Sequence, residues 1–325
     1  MIAARQIAFG RGGKKEEQPA YWWLCFTAEE AGSTVAMQAV GSAPAVTLET
    51  SYDGEIWEPF VIGETTITLQ NVGNKVYFRA GEGGNTAMAS SASDYNKFSI
   101  ITGRIAASGN IMSLLNGVSP ESIIAPYCYF SLFMDCTSLV QAPELPATTM
   151  ATYCYCYMFK GCTSLAQAPE LPATKLSSFC YGYMFEGCTS LAQAPELPAT
   201  KLSSFCYTNM FLNCTSLAQA PELPATTLAS YCYYNLFNGC SSLAQAPELP
   251  ATKLSSFCYG YMFKGCRNID RIECSFEAFS PATSNWLNGV SYTGTFICPT
   301  ALGTNETIRR GVSYCPEVWT VINKD

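Results

Sequence analysis

Cysteine is the residue whose number and spacing first suggest chemistry. The chain of 325 residues carries 17 of them and no histidine. Twelve fall in two rows, at 128, 154, 180, 206, 232 and 258 and, eight residues later in each case, at 136, 162, 188, 214, 240 and 266. Each row steps by 26 residues. A thiol can close a disulfide, ligate a metal or act as a nucleophile. The absence of histidine removes the Cys-His and Ser-His-Asp forms of nucleophilic catalysis and every histidine-containing metal site. Cys154-Tyr-Cys156 is the one close pair and no Cys-x-x-Cys occurs, so zinc spacing is missing. The strict step makes packing the first reading: stacked coils about 4.8 Å apart would align the thiols in two columns of small, buried, weakly donating side chains. Disulfides along a column remain open at that distance. No metal or cofactor is expected.

Two further sets could make contacts rather than break bonds. A glutamate recurs at 144, 170, 196, 222 and 248. Like charges roughly 5 Å apart repel by about 0.8 kcal/mol per pair in water, so this row must be solvated or splayed. Lys175, Lys201 and Lys253 stand five residues after a glutamate and would relieve it. Glu170, Glu196 and Glu222 are therefore candidates for a stripe that meets a cation or a basic partner. The second set consists of the slots that differ between nearly identical repeats: Phe130-Ser131, Cys156-Tyr157, Gly182-Tyr183, Thr208-Asn209, Tyr234-Asn235 and Gly260-Tyr261. The slot after each phenylalanine varies too, from Met134 through Lys160, Glu186, Leu212 and Asn238 to Lys264. Tyrosine and asparagine at unconstrained positions have the composition of adaptable binding surfaces. Tyr157, Tyr183, Asn209, Tyr234, Asn235 and Tyr261 are the candidate binding residues.

The element that must position them is a 26-residue phrase, cleanest from Cys162 to Gly187. A fixed period of this length marks a solenoid, in which stacking closes a core that one unit cannot. In Leu176-Ser-Ser-Phe-Cys-Tyr-Gly-Tyr-Met-Phe-Glu-Gly-Cys188 the positions 176, 180, 184 and 188 fall four apart, which predicts a helical stripe. Ser177 or Ser178 would cap its start and Gly187 its end. The third apolar position runs Ile124, Met150, Leu176, Leu202, Leu228, Leu254. The stretch from Thr163 to Leu171 sets apolar side chains at 165, 168 and 171. It contains Pro169, with Pro172 just beyond, so its strand must be short. Each repeat thus predicts a short strand, a turn and about two turns of helix, an α/β repeat.

The run Leu165-Ala-Gln-Ala-Pro-Glu-Leu-Pro172, together with Met-Phe-x-Gly-Cys-Thr-Ser-Leu, resembles the BspA-like, Treponema-type leucine-rich repeat. Phe133, Phe159, Phe185, Phe211, Phe237 and Phe263 match that family's phenylalanine, and the cysteine three residues on matches its cysteine. The match covers about 119–275. The longer repeat, the Ala-Pro-Glu-Leu-Pro insertion and the second cysteine depart from the pattern. The resemblance implies a leucine-rich-repeat solenoid on a surface protein that acts by adhesion and recognition, without enzyme activity.

Around the solenoid, residues 1–20 read as a polar leader and 21–118 as an all-β Ig-like or jelly-roll sandwich. Strands are expected at 21–26, 35–40, 46–50, 56–57, 66–69, 76–78 and 97–101, with 105–115 as an adaptor strand. Ser51-Tyr-Asp-Gly-Glu-Ile-Trp57 resembles an Asp-box but is one residue short and occurs once, so Asp53-Gly54 is read as a hairpin turn. Residues 276–325, where the phrase decays, read as a C-terminal cap. The formal net charge is −7, and no basic stretch follows residue 20, which argues against nucleic acid. No apolar run is long enough to span a bilayer, and the N-terminus lacks a secretory signal core. The expected function is non-catalytic recognition of a surface protein or glycan on a host or neighbouring cell, at an extracellular or cell-surface location. The alternative is a phage or tail-like virion component, a fibre or receptor-binding subunit docked through its N-terminal region.

Overall fold

The computed structural model describes residues 22–99, 102–115, 122–123 and 125–324. The leader at 1–20 and the apolar position Ile124 lie outside the described residues. Seven strands form the N-terminal part: β1 (Leu24–Ala28), β2 (Ser33–Val40), β3 (Leu48–Ser51), β4 (Glu58–Phe60), β5 (Thr66–Leu69), β6 (Lys75–Ala80) and β7 (Tyr95–Ser99). In β5 and β6 buried and open residues alternate, which turns one face of each sheet inward. β5-β2-β7 makes one sheet; β8 (Ile105–Ser108) and β9 (Leu139–Gln141) extend the other to β4-β3-β6-β1-β8-β9. Phe26, Phe78 and Phe98 meet edge-on in the shared core. The segment 105–115 is not one strand, since Ile111–Leu114 coils into a single 3-10 turn after β8.

The repeats correct the helical expectation. Among the described residues there is no α-helix. The stretch predicted to be helical is a flat ribbon of successive turns. In one coil Tyr153, Tyr155, Tyr157, Phe159 and Gly161 donate their N–H groups to the carbonyls of Ser178, Cys180, Gly182, Met184 and Glu186 in the next coil, at 2.8–3.1 Å. The N–H groups between them, of Cys154, Cys156, Met158, Lys160 and Cys162, donate to the carbonyl three residues back, at 3.0–3.4 Å. Every N–H of the stretch therefore has a partner, half inside the coil and half across to its neighbour. The alternation needs a left-handed residue every fourth position: Tyr153, Tyr157 and Gly161 have φ of 58°, 59° and 74°. Two side chains then point in and the next two out. The resulting period of four mimics a 3.6-residue helical stripe over so short a run.

The other half of each coil also differs from the expected short strand. The glutamine before each Ala-Pro-Glu-Leu-Pro makes a single parallel bridge to the next coil, in a row through Gln141, Gln167, Gln193, Gln219 and Gln245, and the pairing does not extend into the phrase, where each proline removes a ladder donor. Past the last of these phrases the corresponding segments are free of proline and true strands form. β10 (Arg271–Glu273), β11 (Thr295–Cys298) and β12 (Thr320–Asn323) are parallel, with Ile272, Phe296 and Val321 in register. The ribbon also continues, as Phe263 and Gly265 donate to Trp286 and Asn288.

Both ends of the stack are closed. At the front, Phe98 of β7 takes the place of a preceding coil's phenylalanine. Its N–H donates to Leu132 at 2.7 Å, and its ring stacks on Phe133 at 5.2 Å and 10°. Lys97 Nζ donates to the Met134 carbonyl at 3.3 Å. At the far end the Asn305 side chain accepts from the Val321 N–H at 2.8 Å, covering the outward edge of β12. Arg310 donates to the carbonyls of Pro316 and Trp319.

Candidate recognition surface

The cysteine rows settle into the core. None of the 17 thiols is in a disulfide, and all are buried. In the second row Cys162, Cys188, Cys214, Cys240 and Cys266 each donate to the phenylalanine carbonyl of the coil behind, at 3.0–3.1 Å, and Cys136 donates to Phe98 at 3.2 Å. Burial pushes the thiols of Cys128, Cys180, Cys214, Cys258 and Cys266 up to about 12. A thiol held so high offers no thiolate near neutral pH. No group of three Cys, Asp or Glu that could hold a metal occurs among the described residues.

The outward left-handed positions form two ladders on the ribbon. The first is Tyr127, Tyr153, Phe179, Phe205, Tyr231 and Phe257, stacked at 4.4–5.1 Å with planes within 12°. A left-handed aromatic residue costs about 1 kcal/mol, and here the stack and the inter-coil hydrogen bonds hold it in place. The second ladder is Ser131, Tyr157, Tyr183, Asn209, Asn235 and Tyr261, with φ of 53–59°. Most of the candidate binding residues therefore share one line.

They divide into two tyrosine pairs with a polar saddle between. Tyr157 and Tyr183 stack at 4.5 Å. Lys160 Nζ lies 5.1 Å above Tyr157 and 3.0 Å from Glu186 Oε2. Desolvation, followed by the neighbouring Tyr183, pushes the Tyr157 hydroxyl well above its ordinary range. Tyr234 and Tyr261 meet edge-on at 5.5 Å. Lys264 Nζ sits 5.5 Å over Tyr261. Gly260 is required under this pair, because a Cβ there would come within 2.9 Å of the Tyr234 ring. Between the pairs, Thr208 and Asn209 are almost wholly buried, Asn209 at 5% exposure, while Asn235 Oδ1 accepts from Asn238 Nδ2 at 2.8 Å.

Glu170, Glu196 and Glu222 are exposed and lie on the proline-rich segment, away from this line. Among the described residues none of them pairs with a lysine; Lys160 pairs with Glu186, and Lys324 with Glu248 and Glu273. A groove of about 880 Å³ runs between two such segments, lined by Gln219, Pro221, Glu222, Gln245, Pro247 and Glu248 among others.

Two features had no flag in the sequence reading. Tyr95 of the sandwich meets Phe130 at 5.6 Å and so lengthens the aromatic ridge beyond the first coil. On the six-stranded sheet, Trp23 and Trp57 meet at 4.8 Å, and Arg79 lies 4.0 Å over Trp57 while pairing with Glu49 at 2.7 Å. The Trp22-Trp23 doublet was the available signal for that cluster. The Asp53 turn is as read: its Oδ1 accepts from the N–H groups of Glu55 and Ile56. It lifts Tyr52 and Ile56 into solvent at 63% and 71% exposure.

No protein-family model, curated protein or solved structure matches the chain. Among the described residues no helix is long and apolar enough to cross a membrane.

Proposed function

We propose that this chain is a non-catalytic recognition protein, and that the outward face of its turn ribbon binds a protein or glycan on the surface of a host or neighbouring cell. One observation carries the reading. Most of the candidate positions that change from coil to coil gather on one line of the ribbon, while the unchanging leucines, phenylalanines and cysteines fill the core. Half-buried tyrosine rings with free edges, side-chain amides and a lysine–glutamate pair suit contacts to sugars or loops. They supply no convergent acid and base. The resemblance of Met-Phe-x-Gly-Cys-Thr-Ser-Leu to BspA-like surface proteins supports the same reading, and the proposal places the protein outside the cell or at a cell surface.

The layout of the stack favours one alternative. The sandwich closes the front of the solenoid, so the coils lead away from the N-terminal end, as in a virion fibre docked through that end. Copurification with phage or tail particles would favour the fibre, and labelling of intact cells without particles the adhesin.

The test of the surface is a glycan and cell-surface protein panel probed with wild type and variants. Tyr157→Ala with Tyr183→Ala, or Tyr234→Ala with Tyr261→Ala, is expected to weaken binding at least tenfold. Glu170→Gln with Glu196→Gln and Glu222→Gln is expected to leave it within about twofold. Loss only in the glutamate variant would move the site to the proline-rich face. Turnover of any panel member would overturn the reading.

A further inference from the structure

A third aromatic ladder runs inside the core: Tyr129, Tyr155, Tyr181, Tyr207, Tyr233 and Tyr259, each at most 1% exposed. Its first member shows what the hydroxyl faces. Tyr129 donates to the Ile111 carbonyl at 3.2 Å and lies 3.3 Å from Met112 sulfur. Ile111 occupies the place of a proline-rich segment in a coil before the first, since its N–H donates to Glu144 and Asn110 bridges Glu144 in parallel. The corresponding neighbours of Tyr155, Tyr181 and Tyr207 are therefore the Glu-Leu-Pro stretches around Leu145, Leu171 and Leu197.

In those three coils the hydroxyl oxygens are buried and have no hydrogen-bond partner among the described residues. Among the described residues the backbone of Leu145, Leu171 and Leu197 makes no hydrogen bond to a neighbouring coil either, and the proline after each leucine brings no donor of its own. A column of buried, unpaired hydroxyls is costly unless something bridges them. The rings from Tyr129 to Tyr207 follow one another at 5.7, 6.0 and 5.8 Å with planes within 28°. Equivalent hydroxyls in adjacent coils are thus separated by about two hydrogen-bond lengths.

We infer that the core binds a file of internal water between the tyrosine ladder and the proline-rich backbone, with water bridging the hydroxyls of Tyr155, Tyr181 and Tyr207. A hydroxyl can donate to one water and accept from the next, and each water keeps a bond for the leucine backbone. The file also gives a reason for tyrosine rather than phenylalanine at a position that never reaches solvent.

Two measurements test this. In a high-resolution crystal structure of the full chain, density for an ordered oxygen is expected within about 3.2 Å of each of the three hydroxyls. Absence of that density, in a map that resolves other internal waters, would overturn the proposal. The second measurement is the melting temperature of Tyr181→Phe. Removing a bridged hydroxyl is expected to leave Tm at or below that of wild type, whereas removing a dry, unpaired hydroxyl would raise it. A raised Tm contradicts the file. Tyr129→Phe, which loses a protein acceptor, gives the reference for a fall.

Discussion

At the scale of single residues, the thiol columns are a store of neutral, hydrogen-bonding groups, and that makes the protein sensitive to alkali. An ordinary thiol titrates near 9.0, whereas those of Cys128, Cys180, Cys214, Cys258 and Cys266 are held up to about 12 by burial. The unfolded chain therefore loses these protons first. Stability is fully present below pH 9 and falls as pH rises from there towards 12, by up to about 1.4 kcal/mol per thiol per pH unit. Urea midpoints are expected to be level from pH 6 to 8 and to drop steeply above about 9. A level curve to pH 11 would mean that the thiols are not buried as described. The cysteine register was legible in the sequence. The Sγ-to-carbonyl bond across 29 residues, from Cys188 to Phe159 for example, was not, because it depends on a ribbon geometry that no single repeat displays.

At the scale of the element, the ribbon turns on residues that accept a left-handed backbone. Asp135, Gly161, Gly187, Asn213, Gly239 and Gly265 form one row, all with positive φ. This was the overlooked signal: left-handed formers recur at 209 and 213, and again at 235 and 239, four apart. At the other positive-φ slots tyrosine and phenylalanine disguised it, and the buried stripe of period four then read as a helix. Gly187→Ala meets only the strain of its φ of 73°, with no atom closer than 3.9 Å, and is expected to cost about 1 kcal/mol. Gly239→Ala adds a collision with Asn213 Oδ1 and is expected to cost about 2–3 kcal/mol. Asn213→Gly should return the second cost to the first, which a double-mutant cycle by urea denaturation would read directly. Of the candidate site, the tyrosine line was legible because it varied. The burial of Asn209 was not, since it depends on what the flanking coils place around it.

At the scale of the whole molecule, the chain is a stack with two different lids. The sandwich provides the first, through Phe98 and Lys97; Asn305 and Arg310 provide the second. Between them each coil contacts mainly its neighbours, so stability should grow with coil number. Inserting a second copy of residues 188–213 between Asn213 and Cys214 is expected to give a folded protein with an equal or higher Tm. Loss of cooperative unfolding would show that the coils are not interchangeable. The same arrangement lets the outward line change without disturbing the core, which is why recognition is assigned to it.

The turn ribbon underlies all of these statements, and backbone sign tests it most directly. A positive φ brings an amide proton close to its own α-proton, and a helical residue does not. In protein labelled with ¹⁵N-tyrosine, strong intraresidue amide-to-α cross-peaks are expected for Tyr153, Tyr157, Tyr183, Tyr231 and Tyr261, whose φ values lie between 55° and 59°. Weak ones are expected for Tyr155, Tyr181, Tyr207 and Tyr233. Uniformly weak cross-peaks across both sets would contradict the ribbon and restore the helix.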